Sequence, residues 1–381
     1  MWTDRSGSRL VKMSWGKLNR KNISIGMLAM LFIGSWLLSG SVDTSYAASK
    51  ATVKSETKKV TVSGRTFTVQ TVTIPKGTPV TLGLAKGQVG ATQNFNAIVK
   101  AYGAQAAING AFFEAYGGPT DSYGNLIVDG RVAHIGRYGT TIGFKTDGSV
   151  LMDNLYISIT GKVTGTKGRS QSWYATFVNR TPAVNASNSI LFTQDRGARV
   201  GFKGGIAVVI VDGKVKDIMS NNNVAIPPKG YVIVYSGTQK SMADRFEIGA
   251  TVEMNVAYKD PNGKSIPWED VVTAVGAGPR LVKDGKVSLS PAGEGFQDQK
   301  ILSSSAARSG IAVKADGSVM IATVSGATMK QWAEIMSKMG VKQAMNLDGG
   351  ASSAMYGNGR TITKAGRLLS NTLVFGNSLN K

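Results

Sequence analysis

In Asn346-Leu347-Asp348-Gly349-Gly350-Ala351-Ser352-Ser353, one carboxylate, two glycines and two hydroxyls stand together. Asp348 can act as an acid, a base or a nucleophile, and Ser352 and Ser353 can donate hydrogen bonds. Gly349 and Gly350 let the main chain take positive φ and let a ligand approach it closely. The mostly uncharged segment from Val341 to Leu347 would deliver the carboxylate from the end of a strand, where a polar ligand can be gripped. An Asp-Gly pair is also a strong hairpin signal. The chain carries five others, at Asp129-Gly130, Asp147-Gly148, Asp212-Gly213, Asp284-Gly285 and Asp316-Gly317. These sit between short apolar runs, such as Val208-Val209-Ile210-Val211 before Lys214-Val215, and are expected to be turns. Asp348 departs from that pattern: a helix-like segment lies shortly upstream, and a second glycine and a serine pair follow.

Two more stretches could carry chemistry. In Ala107-Ile108-Asn109-Gly110-Ala111-Phe112-Phe113-Glu114, a buried strand runs into an amide, a glycine, two aromatics and a carboxylate. Asn109 offers donors and an acceptor for sugar hydroxyls or a phosphate oxygen, and it equally suits an Asn-Gly turn. Phe112 and Phe113 are expected in the core. In Ala307-Arg308-Ser309-Gly310-Ile311, an arginine enters a strand of small and apolar residues. It is either a strand-end surface charge or an inward fork for an oxyanion.

The elements that must position these residues are mainly strands. Lys58 to Val62 and Thr66 to Val72 flank Ser63-Gly64-Arg65 and predict a hairpin. The spacing predicts a helix over 94–102, ended by Gly103, and a second over 328–339, with Thr328 as N-cap and Gly340 as stop. Trp332, Ile335, Met336 and Met339 share one face of the latter, which reads as core. Residues 140–260 read as a series of strands with turn signals at close intervals. The fold class expected is α+β, a β-rich single domain with mixed sheets and a few helices.

Composition narrows the function. Residues 1–22 are basic, Ile23 to Leu38 is almost uncharged and apolar, and Ser45-Tyr46-Ala47 offers a small-residue cleavage site. Residues 1–47 are therefore expected to be a signal peptide, the alternative being an uncleaved membrane anchor through 23–38. The domain then occupies 48–381, and a secreted location is expected, with cell-wall association through the anionic partners that its charge favours. Cysteine is absent, which excludes thiol nucleophiles and thiolate metal sites, and His134 is the one histidine, so a Ser-His-Asp triad would have to use it. The strand around His134 suggests a satisfied, structural side chain. Net charge is +21, and +17 without the leader's six Lys/Arg and two acids. That field favours anionic partners such as wall polymers, while no basic run interleaved with aromatics points to nucleic acid.

Taken in order, Asn109-Gly110-Ala111-Phe112-Phe113, Arg308-Ser309-Gly310-Ile311 and Asn346 to Ser353 resemble the phosphodiester glycosidase family. Val275-Gly276-Ala277-Gly278-Pro279-Arg280-Leu281-Val282 and Phe177-Val178-Asn179-Arg180 add to the resemblance, which spans about 60–376. It implies hydrolysis of the glycosidic bond of a sugar-1-phosphodiester in an extracellular, cell-wall or exopolysaccharide glycan, releasing sugar and a phosphomonoester. The implied catalytic residues are Asp348 as nucleophile or base, Glu114 as its partner and Arg308 as stabiliser of charge on the departing phosphate. Glu114 stands where related sequences often carry Asp. Asn109, Gly110, Gly349, Gly350, Ser352, Ser353 and Arg280 are the implied substrate-binding set. No cofactor or metal is expected, and the membrane would be met only through the N-terminal segment. Two other readings fit the residues: a metal-dependent phosphodiesterase with oxygen ligands for magnesium or calcium, and a non-enzymatic wall-polymer binding protein.

Overall fold

Short β-branched runs separated by Ser-Gly, Asp-Gly and Asn-Gly pairs fold this chain into hairpins. The computed structural model describes residues 52–136 and 139–379. Lys54–Val62 pairs antiparallel with Arg65–Ile74 across Ser63-Gly64, whose φ values of 48° and 73° are the left-handed pair that a tight two-residue turn requires. Asp129-Gly130, Asp212-Gly213 and Asp284-Gly285 turn the same way. At Asp147-Gly148 and Asp316-Gly317 only the glycine is left-handed, and the Asp carboxylate accepts the N–H two residues on. All five are turns, as expected.

The strands form four sheets. A seven-stranded antiparallel sheet runs Lys54–Val62, Arg65–Ile74, Val319–Ala327, Ala306–Val313, Gln343–Leu347, Arg280–Lys283, Lys286–Val287. A five-stranded sheet runs Arg360–Thr363, Met355–Gly357, Ala106–Asn109, Asn371–Phe375, Val80–Leu84, so strands from both ends of the domain interleave. A second five-stranded sheet is ordered Arg131–His134, Leu126–Val128, Val271–Gly276, Thr140–Lys145, Val150–Asn154. The eight-stranded sheet lies between residues 156 and 259 and contains a parallel pair, Phe177–Val178 against Ser189–Phe192. The other ladders are antiparallel, so the mixed pairing is confined to this sheet.

Side-chain alternation explains the layering. Leu126 and Val128 join a core with Ile108, Ile311, Met345, Leu347 and Leu373 from the seven-stranded and first five-stranded sheets. Ile127, between them, faces the opposite way into a core with Trp173, Val208, Ile210 and Ile233 of the eight-stranded sheet. A strand buried on both faces reads as a continuous apolar run. Helices are few: Phe95–Ala101, Gln299–Leu302 and Met329–Lys338. Thr328 caps the last through a reciprocal bond pair with Gln331, and Trp332, Ile335 and Met336 pack against the seven-stranded sheet. The sequence places both longer helices correctly. The leader expected at 1–47, with its apolar run at 23–38, lies outside the described residues. Among the described residues no helix is long and apolar enough to cross a membrane.

Candidate active site

Gln343–Leu347 is an interior strand, paired with Ala306–Val313 on one side and Arg280–Lys283 on the other. Its last residues are buried and apolar or amide, so the chain leaves the sheet at a carboxylate, Asp348. The segment that follows is tied down by Asn109-Gly110, at the end of a strand in a different sheet. The Asp348 N–H donates to the Gly110 carbonyl at 3.0 Å. Asn109 Nδ2 donates to the Asp348 carbonyl at 2.6 Å, and Asn109 Oδ1 accepts from the Ala354 N–H at 2.9 Å. The Asn109 amide is therefore committed to the main chain on both sides of the loop. Gly110 donates its own N–H to the Asn371 carbonyl at 3.2 Å.

Unlike the five turn pairs, Asp348-Gly349 is not left-handed; only Gly350 is, at φ +59°. Gly349 is required for another reason, since a Cβ there would stand 2.7 Å from the Ala307 carbonyl oxygen. The Gly349 N–H donates to Asp348 Oδ1 at 2.8 Å. Asp348 retains some solvent contact, yet enough protein surrounds its carboxyl that burial pushes it up from 3.8 to about 7. The Ser352 hydroxyl, the Gly349 N–H and the nearby Arg367 charge favour the ionised form without offsetting that burial. Ser352 and Ser353 are both buried in the short turn after Gly350, and Ser353 Oγ has no hydrogen-bond partner.

Three residues that the sequence did not single out cluster near this carboxyl, two of them, Arg367 and Tyr116, interacting with it electrostatically. Arg367 follows Gly366, whose N–H donates to the Ala351 carbonyl at 2.7 Å and so fixes Arg367 to the Asp348 loop. Its Nη2 donates to Tyr116 Oη at 2.9 Å, and its guanidinium carbon sits 4.8 Å from the Tyr116 ring centroid. Lys300 Nζ lies 5.6 Å from that centroid. Tyr116 is 79% exposed, close enough to Asp348 for the two to interact electrostatically, and Arg367 and then Lys300 pull its phenol below the ordinary value. No periodicity or pairing marks these residues in the sequence. Only the glycines and proline around Tyr116, in Ala115-Tyr116-Gly117-Gly118-Pro119, hint at an exposed loop bearing an aromatic.

The other expected site residues take different places. Arg308 is not a surface charge, and its main chain borders the Asp348 loop: its Cα lies 3.9 Å from where a Gly349 Cβ would stand. It is 2% exposed, and its Nε donates to the Ala327 carbonyl at 2.9 Å. Its Nη2 donates to the carbonyls of Lys300 at 2.8 Å and Ser304 at 2.6 Å. Burial pushes this guanidinium below its ordinary pKa. Arg280 is also drawn away: its guanidinium bonds Gln343 Oε1 at 2.7 Å and the Met152 carbonyl. Gln343 begins the strand that Asp348 follows, a separation of roughly 17 Å at the usual strand rise.

Glu114 accepts from Tyr123 Oη at 2.7 Å and from the Tyr116 N–H at 3.0 Å, and these bonds hold its carboxyl below the usual range. It lines a cleft of about 380 Å³ with Asp121, Tyr123, Phe177 and Arg180. No hydrogen bond joins it to Asp348. His134 is fully buried near Asp121, Arg180 and Arg196, and burial pushes it down to about 4. Neither ring nitrogen meets a partner at hydrogen-bond geometry, although the Ser122 main chain is near enough to favour its charged form slightly. His134 is thus remote from Asp348 in its interactions. Phe113 is core, as expected, while Phe112 is half-buried and edge-on to Phe296 with ring centroids 6.0 Å apart. Among the described residues no group of three or more His, Asp or Glu side chains gathers to hold a metal ion.

Residues 205–376 match the phosphodiester glycosidase family model. That segment contains Lys300, Arg308, Asp348 and Arg367, whereas Asn109, Glu114 and Tyr116 precede it. The fold resembles that of a hypothetical protein from Synechocystis, with a TM-score of 0.71 at 22% identity over 85% of this chain. This chain spans 62% of that one. A Burkholderia pseudomallei K96243 protein is similar at a TM-score of 0.63 and 20% identity, over 82% of this chain and 74% of the other. The catalytic domain of zebrafish N-acetylglucosamine-1-phosphodiester alpha-N-acetylglucosaminidase, auto-inhibited by pro-peptide, aligns with a TM-score of 0.46 and 13% identity, over 86% and 85% of the two chains. No curated protein sequence matches the chain.

Proposed function

We propose that this protein hydrolyses the glycosidic bond of a sugar-1-phosphodiester in an extracellular, cell-wall or exopolysaccharide glycan, releasing a reducing sugar and a phosphomonoester. The observation that carries the reading is the Asp348 carboxyl: it is delivered by a buried strand, fixed by Asn109, pushed up to about 7 and flanked by Arg367. A carboxyl with that pKa is matched to proton transfer near neutrality. In the ionised form, Asp348 accepts a proton from the attacking water or itself attacks the anomeric carbon. The C–O bond breaks with its electron pair leaving on a phosphate oxygen. A phosphate leaving group needs less protonation than an alkoxide, so positive charge nearby can replace much of the usual general acid. The net charge, +17 without residues 1–47, favours capture of an anionic polymer, as a secreted, wall-associated role would need.

The test is to incubate the full chain with a panel of sugar-1-phosphodiesters and identify both products. Reducing sugar with phosphomonoester, lost in Asp348→Asn, is the expected result. Sugar-1-phosphate with a free alcohol would mean P–O cleavage and would overturn the proposal. So would an unchanged rate in the variant.

A further inference from the structure

We propose that Tyr116, Lys300 and Arg367 form the site that binds the phosphate of the substrate, and that the buried Arg308 acts behind it as a positioning residue. The inference rests on the hydrolase reading above and deepens it. Lys300 and Arg367 converge on one exposed aromatic ring, 5.6 Å and 4.8 Å from its centroid, beside the carboxyl assigned to the chemistry. Neither cation is in the ion pairs of the described residues. Two positive charges with no carboxylate in ion-pair contact repel each other, and an anion between them removes that cost. Tyr116 Oη accepts from Arg367, which leaves its own O–H free to donate to a ligand oxygen. A guanidinium, an ammonium and a phenol together supply the donors that a phosphodiester's two non-bridging oxygens accept.

Each member, or its chain neighbour, is held at the main chain by a hydrogen bond. Glu114 accepts the Tyr116 N–H at 3.0 Å. Arg308 grips the Lys300 carbonyl at 2.8 Å. The Ala351 carbonyl receives the Gly366 N–H beside Arg367 at 2.7 Å. Arg308 commits its Nε and Nη2 to three carbonyls, which sets it behind the Lys300 main chain. In this proposal the charges that meet the anion are Lys300 and Arg367.

Binding of inorganic phosphate to the intact chain, followed by calorimetry or by broadening of its phosphorus resonance, tests this without turnover. Wild type and Asp348→Asn should both bind. Arg367→Gln and Lys300→Gln should each weaken binding by about tenfold, the loss expected for one charge-assisted hydrogen bond, with melting temperatures unchanged. Tyr116→Phe should weaken it less. Arg308→Lys should lower the melting temperature as well as the affinity, with Lys300→Gln adding little further loss of affinity. Unaltered phosphate binding in Arg367→Gln, or none in wild type, overturns the proposal. Phosphate binding that depends on Arg367 in a chain that hydrolyses no sugar phosphodiester would keep the anion site and remove the hydrolase reading.

Discussion

The side-chain amide of Asn109 spans the mouth of the Asp348 loop: it donates to the Asp348 carbonyl and accepts the Ala354 N–H, at 2.6 Å and 2.9 Å. Asn109→Ala leaves two buried main-chain groups without partners, a loss of about 2–4 kcal/mol. The melting temperature should fall, and hydrogen exchange should quicken at Ala354. Activity should drop with kcat, because the carboxyl loses its fixed position while the cations keep theirs. A rise in KM alone would mean that Asn109 contacts substrate instead.

Asp348 makes stability and activity run in opposite directions with pH. Its carboxyl titrates near 7 in the fold and near 3.8 as an unperturbed group, so the fold favours the protonated form. That stabilisation is complete below about 3.8 and is lost as pH rises toward about 7. Asp348→Asn mimics the protonated state. Its melting temperature should equal that of wild type near about pH 4 and exceed it by roughly 2–5 °C near about pH 8. Meanwhile kcat/KM of wild type should climb through about 7 and level off, since base or nucleophile must be ionised. A rate that falls through the same range would make Asp348 a general acid.

Removing the Arg308 side chain, as in Arg308→Met, strands the carbonyls of Ala327, Lys300 and Ser304. The expected cost is about 3 kcal/mol or more, seen as a lower midpoint in urea. A directly catalytic arginine would show the reverse pattern, with full stability and lost turnover.

Glu114→Gln retains one oxygen to accept the Tyr116 N–H and offers an NH2 that the Tyr123 hydroxyl can accept, so both contacts can persist. Its effect on kcat should stay within about tenfold, against a loss of about a hundred- to ten-thousand-fold for Asp348→Asn. A loss in Glu114→Gln as deep as that in Asp348→Asn would restore the two-carboxylate scheme.

Much of this architecture is legible in local sequence because it is local physics. Asp-Gly pairs turn because their neighbours must pair, and Thr328 with Gln331 starts a helix through contacts three residues apart. Asp348 stands out because its surroundings break the pattern of the other five pairs. Arg308 does not yield to such reading. Alternation puts it on a strand, but the choice between facing an anion and facing carbonyls is made by Lys300, Ser304 and Ala327, whose positions depend on the turns between them. Tyr116, Lys300 and Arg367 are further apart still in the chain and meet only after the sheets have assembled. One lysine and one arginine among 44 basic residues carry no mark of that meeting.

The interleaving of early and late strands has a temporal consequence. Val80–Leu84 pairs with Asn371–Phe375, and Ala106–Asn109 lies between that last strand and Met355–Gly357. The partners of Asn109 stand 239 and 245 residues downstream. Closing so long a loop is entropically costly and slow. A growing chain therefore leaves the corner around Asp348 unframed until residues 371–375 have been made, and a chain cut before Asn371 would carry Asp348 without the strand that borders Ala106–Asn109.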